Sequence, residues 1–318
     1  MAQLALILGN GFDIDMGLPS KYSDFAKSQE WQNMIKRLYP FLQDEDYCRH
    51  SLIAQLQEAS EESLWFDIEE EINKFIIAHR ENTDNEVEEI KNEFDLLKDA
   101  LYKYLQRISK NFTANRDKLS TSLMYGLREC PLTATEIYFN YTNPHEYLKL
   151  PYQPEIFNGG QHWCTYVHGS LRDNDIVLGC DLQEGEKVNR QLSFMYKYTQ
   201  LNKANNMAYG ILEAKEIIFF GHSVNEMDFC YFKEFFRVAS ASPNPRHLTM
   251  ITYDEESERN IKDNIRNQGI SVSDLYSNLR TFDFIHTTKL YAQDQEEYKR
   301  WNDLVERLMS KVALGQTR

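Results

Sequence analysis

Five consecutive apolar residues, Leu4-Ala5-Leu6-Ile7-Leu8, run without a break into Gly9-Asn10-Gly11-Phe12-Asp13. A continuously apolar run, rather than an alternating one, reads as a strand buried on both faces, as in the middle of a parallel sheet. Such a strand needs parallel neighbours and helices above and below it. The glycines that follow allow a tight turn and close approach of the backbone to a phosphate or ribose. Gly17-Leu18-Pro19-Ser20 is a second turn, with Ser20 and Ser23 as candidate caps of a following helix.

The remaining chain supplies those neighbours. Short apolar runs predict strands at Glu136–Phe139, Thr165–Val167, Ile176–Leu178, Glu216–Phe220 and Leu248–Tyr253, with a weaker one at Arg280–His286. Helical patterns fall near Tyr196–Ala214, Phe229–Ala239, Glu256–Arg266 and Gln293–Leu314. Strands alternating with helices specify an α/β fold, Rossmann-like, with a mostly parallel sheet and helices on both faces. One block breaks the alternation. Val87, Ile90, Phe94, Leu97, Leu101, Leu105 and Ile108 keep a three-and-four spacing that predicts a long amphipathic helix, preceded by a break at Asn82–Asn85. The expected organisation is therefore a nucleotide-binding core made of residues 1–22 and 130–318, with residues 23–129 as a large helical insertion after the first strand.

The charge balance limits the partners. A net charge of -14 over 318 residues argues against nonspecific nucleic-acid binding, which depends on clustered Lys and Arg. It leaves room for an anionic small molecule held by backbone amides. Five cysteines without a Cys-x-x-Cys pair give neither a disulfide framework nor a zinc motif, and they fit a reducing cytoplasm. The first apolar run is too short for a signal peptide and has no basic residue before it, and no apolar stretch is long enough to cross a bilayer. The expectation is a cytoplasmic protein with no membrane partner.

Polar residues gather where the predicted strands end. Asn10 and Asp13 follow the first strand, and Asn140 follows Ile137–Phe139, with Tyr141, Thr142 and Asn143 making the turn. His168 ends a strand, and Gly169 turns the chain at once. Gly221 and His222 close another, and Ser223, Asn225 and Asp228 start the next helix. In a parallel α/β sheet these ends share one edge, where ligands bind. Each residue also has a plainer role. Asn140 can close its own Asx turn, His222 and Asp228 can cap a helix, and Gly9-Asn10-Gly11 can be only a tight turn, because Ile14 stands where a dinucleotide fingerprint has its third glycine. His50, His79, His145, His162, His247 and His286 read as structural or surface residues, and no metal spacing, Gly-x-Ser-x-Gly elbow or Walker A sequence is present. In Ser63–Ile72, Asp67, Glu69, Glu70 and Glu71 read as a solvated face; the alternative turns Trp65 or Glu69 inward.

The segments LILGNGFDIDMGLPSKYSDF, LWFDIEEEI, FNYTN, YVHGSL and FFGHSVNEMDF, in this order, closely resemble the AbiH family of bacteriophage abortive-infection proteins. More distantly, the pattern is similar to sirtuin-like NAD-binding domains. A Gly-Ala-Gly turn is matched by Gly9-Asn10-Gly11, an Asn turn by Phe139-Asn140-Tyr141-Thr142, a His-Gly pair by His168-Gly169, and a late glycine by Gly221. The sequence departs from that pattern with Asn10 for Ala, Asp13 for Ser and Thr142 for Asp, and it lacks the deacetylase zinc cysteines.

The resemblance implies an antiphage protein that binds a nucleotide, NAD, as substrate or ligand without a metal. It makes Asn140 and His168 the catalytic pair, with Asp13 stabilising the developing cation or bonding the ribose. Gly9, Asn10, Gly11, Phe12, Gly169, Gly221, His222, Ser223, Asn225 and Asp228 would line the nucleotide, with the pyrophosphate at the first helix. A homo-oligomer or a phage-derived trigger would activate it. The competing readings are a nucleotide-sensing module that acts through a partner, a reductase using NAD as cofactor, and a nuclease, for which the chain has neither the charge nor a metal-carboxylate motif.

Overall fold

The computed structural model describes residues 3–62, 66–129, 133–148, 162–181, 187–200 and 211–315. They divide into two compact units, one of Met1–Leu18, Thr113–Val167 and Asn205–Arg318, the other of Pro19–Phe112 and His168–Ala204.

The first unit holds a six-stranded sheet. Its strands are β1 (Leu4–Leu8), β2 (Ala134–Tyr138), β3 (His162–Tyr166), β4 (Glu216–Phe220), β5 (Asn244–Thr252) and β6 (Leu279–His286). All pairings are parallel, in the order β3-β2-β1-β4-β5-β6. This is the doubly wound order, with its topological switch between β1 and β4. Every residue of β1 is fully buried, as the unbroken apolar run requires. Ala5 and Ile7 contribute to a core with Ile137, Phe219, Phe232, Phe236, Leu248, Met250 and Ile265. On the opposite side, Arg307 of the helix Gln295–Gly315 donates to Thr249 Oγ1 at 3.2 Å, so helices cover both faces. The fold is α/β and Rossmann-like.

The run Ile176–Leu178 is not a strand. It is irregular, although Val177 N donates to His168 O at 2.8 Å. Asn174 and Gly179 adopt positive φ at its two ends, which takes the backbone out of extended geometry. Its apolar character reports burial, not sheet pairing. The predicted helix Tyr196–Ala214 is helical at Lys197–Gln200, and its 201–210 part lies outside the described residues. Phe229–Ala239 divides into a 3₁₀ turn, Phe229–Tyr231, and the helix Lys233–Ala241.

The second unit is helical. Its longest element, Asp84–Lys110, buries Ile90, Phe94, Leu97, Leu101 and Leu105 along one stripe. Thr83 starts it with a capping box: its side chain accepts from Glu86 N, and Glu86 Oε2 accepts from Thr83 N. The same helix carries a buried carboxylate, Glu93, which accepts from Tyr47 Oη, Ser51 Oγ at 2.7 Å and Ile53 N at 3.0 Å. In the acidic cluster, Asp67 caps the helix Ile68–Ala78, and Glu69 turns inward to pair with fully buried Lys197 at 2.8 Å. Only part of that acidic run is therefore a solvated face. Trp65 lies outside the described residues.

Candidate active site at the sheet switch point

The turns after β1 and β4 meet at the switch. Gly9 N donates to Phe220 O at 3.0 Å, Gly11 N to Gly221 O at 2.9 Å, and Phe12 N to Gly9 O at 2.9 Å. A Cβ on Gly9 would lie 2.5 Å from Gly221 O, and one on Gly11 would lie 2.6 Å from Gly221 Cα. Conversely, a Cβ on Gly221, whose φ is +64°, would lie 2.3 Å from both Gly11 C and Phe12 N. The glycines thus let two backbones touch; the amides of Gly9 and Gly11 are spent on that contact, and the Phe12 amide closes its own turn on Gly9 O. Phe12 itself is fully buried edge-on against Phe220, with ring centroids 5.1 Å apart.

The same turn aims a carboxylate inward. The helix Asn10–Met16 begins at once after Gly9, and its first turn carries Asp13 into the interior, where it is 1% exposed. Thr142, in the turn after β2, donates its hydroxyl to Asp13 Oδ2. Asn140, 5% exposed, stands beside it. Asp13 Oδ1 and both side-chain polar atoms of Asn140 have no hydrogen-bond partner. Burial drives the Asp13 pKa up to about 6, against smaller downward pulls from the Thr142 hydroxyl and the neighbouring Asn140 amide. A buried acid with a displaced pKa, next to an amide with unused donors and acceptors, is the pattern of a functional site rather than of a finished core.

The other expected residues take varied places. Asn10 is exposed at the start of its helix, and Ser223 is exposed in the turn after β4, where its carbonyl accepts from Asn264 Nδ2 at 3.1 Å. His222 Nδ1 accepts from Val224 N at 2.9 Å, and its Nε2 lies 3.6 Å from Asp228 Oδ2. Asn225 Oδ1 accepts from Asp228 N at 2.9 Å. These side chains build the turn, and Val224 holds it at a positive φ of 49°.

His168 and Gly169 belong to the helical unit. His168 is buried there, and Gly169 has a φ of +74°, with Asp175 O 1.9 Å from where its Cβ would be. Ser170 N donates to Asp175 Oδ1 at 2.8 Å, so the His-Gly-Ser turn is closed by its own loop.

Sequence reasoning passed over Thr142 as a site residue. A hydroxyl in an Asn turn reads as local turn chemistry, and its partner lies 129 positions away. It also passed over Asp15, whose Oδ2 accepts from Ser120 N at 2.9 Å and whose Oδ1 accepts from Tyr291 Oη at 2.6 Å.

The family model for bacteriophage abortive infection AbiH matches residues 5–246. The chain belongs to the AbiH family. The match takes in the glycine turn, the helical block, the Asn140 turn, the His168-Gly169 pair and the Gly221 turn, and it ends within β5. No curated protein and no solved structure matches the chain. Membership in AbiH implies a role in abortive infection by bacteriophage. Among the described residues, no helix of this AbiH protein is long and apolar enough to cross a membrane.

Proposed function

We propose that this AbiH protein binds a nucleotide, NAD, at the carboxyl edge of its sheet and cleaves the nicotinamide–ribose bond as its defence activity. The observation that carries the reading is the Asp13–Thr142–Asn140 cluster, a buried carboxylate and unused amide at the ends of β1 and β2. Ligands of doubly wound sheets bind beyond the strand ends at the switch, and this cluster adjoins it.

Cleavage of that bond passes through an oxocarbenium-like state, as glycoside hydrolysis does. Nicotinamide leaves as a neutral molecule, water adds to the ribose carbon, and one proton is released. No general acid is needed for departure. The protein must hold the ribose, stabilise positive charge and place the water. Asp13, with a pKa of about 6, is mainly ionised at neutral pH and offers the stabilising charge. Asn140 has donors and acceptors available for ribose hydroxyls or water. Because the glycine amides are spent, the phosphates fall to the exposed polar residues of the two turns, Asn10 and Ser223, with Asn225 toward the adenosine. His168, which belongs to the helical unit, is the base that the resemblance to sirtuin-like domains implies, and it is tested separately.

The test measures NAD in cells expressing wild type, Asn140→Ala, Asp13→Asn or His168→Ala, with and without phage, alongside NAD binding by the purified proteins. NAD loss in wild type alone supports the proposal. Binding without loss moves the protein to the nucleotide-sensing reading. Neither binding nor loss refutes both.

A further inference from the structure

Away from the switch, the outer strands of the sheet gather a second set of chemically active side chains. β2 and β3 pair Glu136 with Cys164 in register, so the two side chains leave the same face side by side. The short helix Pro144–Tyr147, capped by the Asn143 side chain on His145 N at 3.0 Å, brings His145 onto that face. His145 Nε2 lies 2.7 Å from Glu136 Oε2, and Cys164 Sγ lies 3.5 Å from the same oxygen. One carboxylate oxygen, one imidazole nitrogen and one thiol sulfur thus sit within 4.8 Å of one another. Tyr138 adds a phenol hydroxyl that donates to Glu136. Glu136 is 1% exposed and His145 is 8% exposed, while Cys164 is half-buried.

We propose that Glu136, His145 and Cys164 bind one Zn²⁺ ion. Oxygen, nitrogen and sulfur donors together suit a borderline metal such as zinc better than the hard cations magnesium and calcium. The spacing is close to what such a site needs, with the three ligand atoms within 4.8 Å of one another. Zinc bonds of about 2.0–2.3 Å place tetrahedral ligand atoms about 3.3–3.7 Å apart. The Cys164–Glu136 separation of 3.5 Å already meets this, and the 2.7 Å His145–Glu136 contact has to open by about half an ångström. Binding replaces the proton of Cys164 with the metal, and that proton passes to solvent; the proton that His145 Nε2 shares with Glu136 also leaves that nitrogen, moving to Nδ1 or to solvent. Three protein ligands leave a fourth position for water, and Cys164 is the least buried of the three residues. The site ties β3 and the short helix to β2. The spacing of 9 and 19 residues between its ligands follows no zinc motif, because two of them come from neighbouring strands and meet only through sheet register.

The experiment uses untagged full-length protein purified under reducing conditions. Metal analysis gives zinc per chain, and a competitive chelator titration gives the affinity. Replacing zinc with Co²⁺ reads the ligands directly, because a thiolate bound to cobalt gives a charge-transfer absorption band. Wild type is expected to carry about one zinc per chain and to show that band. Cys164→Ser should lose the band, and Cys164→Ser and His145→Gln should each weaken zinc binding at least tenfold. Glu136→Gln, which keeps the shape of the site, serves if either variant fails to fold. Wild type with less than a tenth of a zinc per chain, no uptake of added Zn²⁺ and no cobalt–thiolate band overturns the proposal and leaves a hydrogen-bonded cluster. These readouts do not involve NAD, so their outcome is independent of the function proposed above.

Discussion

Gly221→Ala tests whether the glycine turn exists to bring two backbones into contact. An alanine there accepts two costs. A φ of +64° disfavours an L residue by about 1–2 kcal/mol. Its Cβ would also stand 2.3 Å from Gly11 C and Phe12 N, both main-chain atoms. Reaching ordinary contact requires a displacement of about 1 Å, and overpacking of this kind costs about 1–3 kcal/mol. The shift also strains the Gly9 N–Phe220 O and Gly11 N–Gly221 O bonds, each worth about 1 kcal/mol. The sum is about 4 kcal/mol, a large part of a typical folding free energy. It corresponds to a fall in Tm of about 8–16 °C.

Two control glycines separate the terms. Gly269, at φ +77°, has nothing within 4 Å of its would-be Cβ, so Gly269→Ala pays only for the backbone angle, about 1 kcal/mol net. Gly126 lies in the helix Leu119–Glu129 with open space around it, so Gly126→Ala should stabilise by about 0.5–1 kcal/mol. Gly11→Ala meets Gly221 Cα at 2.6 Å without a positive φ and isolates the clash. Thermal melts of the four variants by circular dichroism give the ranking. If Gly221→Ala and Gly11→Ala melt within about 3 °C of Gly269→Ala, the turn-on-turn contact is not tight and the reasoning fails.

Asp13 should show a trade between stability and function. Its folded pKa is raised from 3.8 to about 6, so the ionised form is disfavoured by the fold. Stability therefore declines as pH rises from about 4 to about 6 and then levels, by roughly 3 kcal/mol in all. Asp13→Asn, which still accepts from Thr142, should melt higher than wild type at pH 7.5, lack that slope and lose ligand binding; an unchanged slope in denaturant titrations across this range refutes the assignment. Lys197→Met strips Glu69 of its buried partner and should cost about 3 kcal/mol, with Glu69→Gln in the same chain restoring much of it. A double-mutant cycle by urea unfolding that shows no coupling counts against the pair. Thr83→Ala removes the capping box of the long helix and should cost about 1 kcal/mol, read as a lower urea midpoint with an unchanged slope.

Much of the fold was legible along the chain because its signals are local. The unbroken run Leu4–Leu8 reads as an inner strand, and its five buried residues bear this out. The spacing of Ile90, Phe94, Leu97, Leu101 and Leu105 set the long helix, and the break at Asn82–Asn85 marked where it begins. Apolar content alone misled at Ile176–Leu178, since a buried irregular segment needs the same side chains as a buried strand. Strand order, register and the company each polar residue keeps were decided only by tertiary structure. Gly9 and Gly11 announce a close approach, but that the neighbour is Gly221, more than 200 positions later, follows from β1 and β4 lying side by side. Asp13 acquires Thr142 and its raised pKa in the same way. Glu136, His145 and Cys164 are ordinary residues until parallel pairing sets β3 against β2. Side-chain periodicity tells which face of an element is buried, and only the packing of distant elements tells against what.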